Sequence, residues 1–73
     1  MIHVDMELTG RNIEDLMDSR SLTVKDVARK MVVSERAVRM WLSGGRIPSI
    51  DNLARLSVWW KVPIDKILEI VET

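Results

Sequence analysis

One face of a short predicted helix carries a dense set of side chains that could make polar contacts. Its members are Glu35, Arg36, Arg39, Met40 and Ser43. The helix is predicted to begin after Ser34 and to end before Gly44, because serine is a favoured N-cap and glycine a favoured helix end. Val38, Trp41 and Leu42 form the opposite, apolar face. Long donors and acceptors on one side of a short helix suit the base edges of a DNA major groove.

A second short helix is predicted immediately before this one. Its apolar residues follow the helical spacing i, i+3, i+4, i+7. They are Val24, Val27, Ala28 and Met31. Thr23 can cap the first turn, and Asp26 occupies the capping-box position. With the glycines and proline at residues 44–48, the segment predicts two helices, a tight turn between them and a loop after them.

Three more helices are predicted around this pair, which gives an all-α fold of five helices. Helix 1 spans about Arg11–Ser19 and has Thr9 as a possible cap. Helix 4 follows Ser49, and Pro63 opens helix 5. The predicted buried residues are Ile13, Leu16, Met17, Leu53, Leu56, Ser57, Trp60, Ile64, Ile67, Leu68 and Val71. The 73 residues permit one small domain, expected at 9–73 and preceded by an arm at 1–8.

Alternating residue types in the arm predict a β-strand. The apolar side of this strand would carry Ile2, Val4, Met6 and Leu8. A lone strand cannot satisfy its own backbone hydrogen bonds. Two alternatives remain open: the arm pairs antiparallel with the same arm of a second chain, or it is a frayed terminus.

The formal net charge is zero, but the charges are unevenly distributed. Residues 1–19 contain five acidic residues and one basic residue, whereas residues 20–46 contain seven basic and two acidic residues. Residues 47–73 contain three basic and four acidic residues. The positive charge is therefore concentrated on the two-helix segment, where it could attract an anion. The alternative is that these residues form ordinary solvated helix faces.

Residues 11–68 carry small and apolar residues at the spacings of a known family. These residues are Ile13, Leu16, Leu22, Thr23, Ala28, Val33, Ser34, Val38, Trp41, Gly44, Pro48, Leu53, Leu56, Val62, Ile67 and Leu68. The chain thereby resembles the lambda-repressor-like helix-turn-helix domain of the phage repressor and Cro group, in the XRE family. The resemblance implies a sequence-specific transcriptional regulator that binds double-stranded DNA. Helix 3, at about residues 35–42, would read the major groove.

Four residues match the family positions that face bases: Glu35, Arg36, Arg39 and Met40. Either arginine could bind guanine N7 and O6, and Glu35 could accept a hydrogen bond from a cytosine amine. Met40 could pack on a thymine methyl group. A structural alternative exists for Glu35, because it stands four residues before Arg39 and could form an ion pair with it.

Phosphate contacts are expected around the ends of the helices. The candidates are Thr23, Lys25, Ser34, Ser43, Arg46, Ser49 and Asn52. Contacts of this kind set the register on the duplex without reading its sequence. For Ser49 and Asn52, the alternative is that they only cap the helix. Capping a helix and contacting a phosphate are compatible roles.

The chain departs from the family pattern at several positions. Met17 and Leu42 replace an arginine–glutamate pair, so we expect these two apolar side chains to touch. Val32 stands where a glycine is usual in the turn, which predicts either a strained turn or a changed geometry. Val24 replaces a glutamine, and Lys61 replaces a glycine after helix 4. These losses predict modest affinity of a monomer for DNA.

Modest monomer affinity favours a homodimer on a two-fold operator, with half-sites about 34 Å apart. The candidate interface residues, besides the arm, are Val58, Trp59, Ile70 and Val71. Trp60 fits the core position of the family, so Trp59 is expected to face a partner. The alternative is that Trp59 packs against helix 5 of its own chain.

Catalysis, cofactors and metals are not expected. His3 is the only histidine, there is no cysteine, and no glycine-rich phosphate cradle is present. No apolar run approaches the roughly 20 residues that span a membrane, and a cytoplasmic location is the default expectation. The competing hypothesis is a protein-binding module on the same fold, either an antitoxin or a partner-binding domain that has lost DNA binding.

Overall fold

Four α-helices form most of the fold, and the two chain ends form a small sheet. The computed structural model describes residues 1–73. The helices are α1 (Met6–Ser19), α2 (Val24–Met31), α3 (Glu35–Ser43) and α4 (Ile50–Trp60), which correspond to predicted helices 1–4. A single 3-10 turn at Ile64–Lys66 follows α4. The strands are β1 (Ile2–Val4) and β2 (Ile70–Glu72). None of the helices combines the length and apolar character that crossing a membrane requires.

Helix α1 begins five residues earlier than the sequence predicted, at Met6 rather than Arg11. Its N-cap is Asp5, whose carboxylate accepts a hydrogen bond from the Leu8 backbone N–H at 3.0 Å. Thr9 is therefore not a cap; it lies within α1 and is buried. The alternation seen in the arm ends at its fourth residue, because an aspartate N-cap starts a helix there.

The core contains eleven buried apolar residues contributed by all four helices and the C-terminal segment. They are Ile13, Met17, Val27, Ala28, Met31, Val38, Trp41, Leu53, Leu56, Trp60 and Ile67. Most of the predicted core positions are therefore confirmed. Leu16, Ser57, Leu68 and Val71 are half-buried, and Ile64 is exposed, contrary to prediction.

Helix α1 packs against α3 with its backbone unusually close, and Gly10 makes this possible. A Cβ atom at Gly10 would stand 2.6 Å from the Trp41 carbonyl oxygen and 2.7 Å from that of Leu42. No side chain fits in that space, because backbone atoms cannot move aside as the end of a side chain can. The contact fixes the C-terminal half of α3 on the body of the domain.

Predicted helix 5 is not confirmed. Pro63 precedes only one 3-10 turn, and the chain then extends into β2. A helix this short is marginal without tertiary support. Hydrogen bonds to α1 favour the extended form instead: the Glu69 N–H donates to the Thr9 hydroxyl, and the Asp5 N–H donates to the Glu69 carbonyl.

The arm does form a strand, but its partner lies in the same chain. Strand β1 pairs antiparallel with β2, with Ile2 opposite Glu72 and Val4 opposite Ile70. Both predicted alternatives for the arm, pairing with a second chain and fraying, are therefore wrong. The sequence could not indicate this partner, because the residues that pair are about seventy positions apart.

The turn between α2 and α3 keeps the left-handed backbone that a glycine normally provides. Val32 has φ 56° and ψ 50° and caps α2. The turn therefore keeps its usual geometry, and the predicted alternative of a changed geometry is wrong. The other alternative, a strained turn, applies, because a β-branched residue in this backbone region costs about 1–3 kcal/mol. Lys61 adopts the same conformation after α4, with φ 56°. Val24 and Leu42, two of the other departures, pack against the core.

Candidate nucleic-acid interface

Helix α3 presents its arginines to solvent while its apolar face anchors it. Val38 is fully buried and Trp41 is 3% exposed. Arg36 and Arg39, on the other side, are exposed. The helix starts at the N-cap Ser34, whose hydroxyl accepts a hydrogen bond from the Ala37 N–H at 3.0 Å. The orientation predicted from the sequence is the one found in the structure.

Glu35 and Arg39 form the only ion pair in the chain. The Arg39 guanidinium donates to Glu35 Oε1 at 3.0 Å, and both side chains remain largely exposed. The alternative proposed for Glu35, an ion pair with Arg39, is therefore present in this structure. An exposed pair at i, i+4 stabilises a helix by only about 0.3–0.5 kcal/mol. It can therefore open or share its donors when a ligand arrives.

Arg36 and Arg46 lie beside one open depression next to the start of α3. The depression has a volume of 280 Å³ and is lined by Ser34, Arg36, Ala37, Met40 and Arg46. The guanidinium groups of Arg36 and Arg46 make no hydrogen bond or ion pair within the chain. Two free cations therefore stand beside a helix N-terminus, whose dipole also favours an anion.

The loop after α3 is held close to the helix by local hydrogen bonds. Gly44 ends α3 in the left-handed conformation, with φ 80°. The Gly45 and Arg46 N–H groups both donate to the Met40 carbonyl, at 3.0 and 3.3 Å. The Ser43 hydroxyl donates to the same carbonyl at 3.1 Å. This compact loop positions Arg46 beside α3.

The start of α2 has a complete capping box. Thr23 Oγ1 accepts from the Asp26 N–H at 3.1 Å, and the Asp26 carboxylate accepts from the Thr23 N–H at 2.9 Å. The hydrogen bond from the Thr23 backbone N–H, followed by hydrogen bonding to the Thr23 side chain, holds the pKa of Asp26 below its usual value of 3.8, with smaller contributions from Arg29 and Lys25. Thr23 and Lys25 are exposed at this end of the helix.

Helix α4 is capped by Ser49, whose hydroxyl accepts from the Asn52 N–H at 3.2 Å. The capping role predicted for Ser49 is therefore confirmed. The Asn52 side chain is half-buried and makes no hydrogen bond within the chain. Its amide remains free to contact a ligand near the N-terminus of α4.

Two basic residues of the positive segment lie against tryptophan rings, away from α3. Arg20 donates to the Trp60 carbonyl at 2.6 Å and to that of Leu16 at 3.1 Å, and its guanidinium lies 5.7 Å from the Trp60 ring centroid. Lys30 Nζ lies 5.9 Å from the Trp59 ring centroid. The charge available to a ligand around α3 is thus smaller than the sequence suggested.

The predicted interface residues lie on two different surfaces. Val58 is 78% exposed on α4, beside the half-buried Trp59, which packs against the core and the Trp60 ring. Ile70 and Val71 lie in β2, where Ile70 is 58% exposed and Val71 is half-buried. The positions of these four residues therefore do not indicate one interface that contains all of them.

Sequence reasoning missed the side chains that tie the C-terminal segment to α1. Thr9 accepts from the Glu69 N–H at 2.9 Å, and the Asn12 amide donates to the Ile67 carbonyl and to Glu69 Oε1, both at 3.2 Å. Thr9, Gly10, Ile13 and Met17 are the buried residues of α1. Their helical spacing continues back to residue 9, a signal that could have revealed the longer helix.

Comparisons with known proteins agree with this geometry. A family model described as helix-turn-helix matches residues 13–58, more than half of the chain. The chain is 29% identical over 59 residues to the HTH-type transcriptional activator BcrR of Enterococcus faecalis, covering 81% of this chain but 29% of the activator. A transcriptional regulator from Listeria innocua, solved by crystallography, matches with a TM-score of 0.80 and 26% identity, over 89% of this chain and 61% of that one.

The chain therefore spans less than two thirds of the length of both relatives. The matched region contains α2, the strained turn at Val32 and α3. The match confirms the family that the residue spacing had suggested: the chain belongs to the XRE-type helix-turn-helix family.

Proposed function

We propose that this domain binds double-stranded DNA as part of a transcriptional regulator, with α3 in the major groove. The observation that carries the proposal is the pair of free guanidinium groups, Arg36 and Arg46, beside the N-terminus of α3. Arginine is the side chain best suited to form bidentate hydrogen bonds with both guanine and phosphate. The two similar proteins, one a transcriptional activator and the other a transcriptional regulator, support the same role.

Arg36 reads bases in this proposal, and Met40 packs beside it on the same depression. A bidentate contact from Arg36 to guanine is worth about 1–3 kcal/mol of discrimination. Arg39 contacts a second base after its ion pair with Glu35 opens or is shared. Glu35 both orients Arg39 and offers its second oxygen to a cytosine amine.

Phosphate contacts come from polar groups around the ends of the helices. They are Thr23, Lys25, Ser34, Ser43, Arg46, Ser49 and Asn52. The backbone N–H groups at the capped starts of α2, α3 and α4 add to these contacts. The domain acts as a homodimer on a two-fold operator, because one small domain with few free cations offers limited affinity alone.

Selection from a random duplex library tests this proposal directly. The wild-type domain is expected to enrich one sequence motif that contains a guanine. Arg36→Ala should retain binding but relax the preference at one position by about 1–3 kcal/mol, because only the base contact is removed. The matched control is Arg29→Ala, an exposed arginine on α2 outside the depression, which should leave the motif unchanged.

Failure to enrich any motif would contradict the sequence-specific part of the proposal. A motif that remains equally sharp with Arg36→Ala would contradict the assignment of Arg36 as a base reader. If no duplex binds at low salt, the function on this fold is protein binding. The valine at position 24, where the family usually has a glutamine, also favours that alternative.

A further inference from the structure

Helix α4 carries an unpartnered apolar stripe along its exposed face. Ile50 is 76% exposed and Val58 is 78% exposed, and Ala54, also exposed, lies midway between them. Residues four apart lie on one side of a helix, so the three form a line about 12 Å long. An exposed apolar line of this kind is a feature of interaction surfaces.

One end of this stripe borders an apolar groove with a basic rim. The groove lies between α2 and α4 and has a volume of 500 Å³. It is lined by Lys30, Met31, Ala54, Arg55, Val58 and Trp59. The two charged residues on its rim are both cations, and no acidic residue lines it. A suitable occupant would be an apolar side chain next to a carboxylate.

The other end of the stripe has that composition. Ile50 projects into solvent, and Asp51 follows it on the exposed side of α4. Asp51 makes no ion pair within the chain, although Arg55 stands four residues away, at a spacing that often forms one. Both charged groups are therefore available to a second molecule.

We propose that this face of α4 binds the same face of a second copy of the chain, around a two-fold axis at Ala54. The two α4 helices run antiparallel, so Ile50 of each copy enters the groove beside Val58 of the other. Asp51 of each copy then meets the Lys30 and Arg55 rim of the other. The small side chain at the axis allows the two helices to approach closely. Reciprocal contacts of this kind are what two-fold symmetry requires.

The exposed face of the terminal sheet is the competing surface, and its charge is less suitable. Ile2, Val4 and Ile70 share that face with Glu72, because directly opposed residues point to the same side. No basic residue among these positions balances Glu72. Pairing two copies through this face would bring acidic groups together without compensation, whereas the α4 face contains both signs of charge.

This inference specifies the dimer that the proposed function includes, but its test contains no DNA. Analytical ultracentrifugation over a wide range of protein concentrations should show a reversible dimer. Val58→Asp places a carboxylate against the incoming Ile50 of the partner and next to its Asp51, and should weaken dimerisation about tenfold or more. The matched control is Ile70→Lys, an exposed apolar residue on the terminal sheet, which should leave dimerisation unchanged. Circular dichroism must show both variants folded.

A charge exchange separates the pairing from a general loss of structure. Asp51→Arg alone and Arg55→Asp alone should each weaken the dimer, and the double variant should restore it toward the wild-type dissociation constant. The chain has no cysteine, so Ala54→Cys offers a second readout. Under oxidation it should form a disulfide-linked dimer, and Glu14→Cys, exposed on α1, should not.

Three results would overturn the proposal. The first is a monomer at every concentration. The second is a dimer that survives Val58→Asp but is lost in Ile70→Lys, which would assign the interface to the terminal sheet. The third is a double charge variant that dimerises no better than either single variant. None of these results concerns DNA binding, which a monomer could still show in the selection experiment.

Discussion

Arg20 and Arg46 show how differently the two sides of this domain use the same side chain. Arg20, between α1 and α2, donates to two backbone carbonyls and lies over the Trp60 ring. Arg46, in the loop after α3, is exposed and its guanidinium has no partner in the chain. On the packing side, made of α1, α4 and the terminal sheet, Arg20 thus has partners within the chain. On the reading side, α3 with its following loop, Arg36 and Arg46 have none.

This difference gives a rule for separating stability from binding. A donor with an internal partner stabilises the fold, and its removal leaves a buried acceptor unsatisfied. A donor that faces water contributes little to stability and keeps its capacity for a ligand. Substitutions on the packing side should therefore change the free energy of unfolding, whereas those on the reading side should change DNA affinity.

The largest effect on stability is expected for Gly10→Ala. Its new Cβ would meet the Trp41 and Leu42 carbonyls at 2.6 and 2.7 Å. Because backbone must move, α1 and α3 would separate, at a cost of about 3 kcal/mol. Thermal or urea unfolding measures the loss. Gly45→Ala is the control: its Cβ would approach the flexible end of Met40 at 3.0 Å. If Gly10→Ala and Gly45→Ala lower the free energy of unfolding equally, the close contact between α1 and α3 is contradicted.

Arg20→Ala should produce the next largest loss, about 2 kcal/mol, because three hydrogen bonds from a charged donor disappear, to the Leu16 and Trp60 carbonyls and the Ser19 hydroxyl. Urea unfolding gives the change in stability. Under native conditions, the dependence of DNA affinity on salt should remain as in the wild type, because Arg20 contacts no phosphate in this account. A stable Arg20→Ala variant that binds DNA more weakly would reverse the assignment of the two sides.

The two helices α2 and α3 and the terminal region also differ in how far the sequence could predict them. Helices α2 and α3 have local signals: N-caps at Thr23 and Ser34, helical apolar spacing and a glycine stop at residue 44. These predicted the helices and the outward orientation of Arg36 and Arg39. Local signals of this kind need no knowledge of distant residues.

The terminal region depends on contacts between residues far apart in the chain. The β1–β2 pairing and the hydrogen bonds of Glu69 to Thr9 and Asp5 join positions about sixty or more residues apart. Local spacing there favoured a fifth helix, and tertiary hydrogen bonding overrode it. At the candidate site, the sequence indicated that Glu35 could pair with Arg39 but left this open, and it could not show that Arg36 has no partner in the chain. The roles of the site residues stay predictions.

Val32→Gly should stabilise the domain by about 1 kcal/mol. Val32 is 86% exposed, so its removal loses little buried surface, and glycine adopts φ 56° without strain. The melting temperature should rise by about 4–8 °C. Lys61→Gly, at the same φ after α4, should act in the same direction. A fall in melting temperature for Val32→Gly would show that the turn is not strained.

The smallest effect is the pH dependence that arises from Asp26. Hydrogen bonds from Thr23 lower its pKa in the folded state. Its contribution to stability is therefore complete above the ordinary pKa of 3.8 and is lost as the pH falls toward the lowered folded value. An NMR titration should show the lowered pKa, and Thr23→Ala should return it only part of the way toward 3.8, because the Thr23 backbone N–H, the largest cause of the shift, remains in that variant. An unchanged titration in that variant would show that the Thr23 side chain does not contribute, and a wild-type pKa at 3.8 or above would contradict the shift itself.

We propose that the free cations of the reading side bind the DNA backbone, and a salt series on one duplex tests this binding most directly. The logarithm of the wild-type association constant should fall linearly with the logarithm of salt concentration. Arg46→Ala should reduce this slope by about 0.9, the value for one phosphate contact. Lys66→Ala, exposed in the 3-10 turn, should leave it unchanged. Equal slopes for wild type and Arg46→Ala, or affinity that does not depend on salt, would contradict the account.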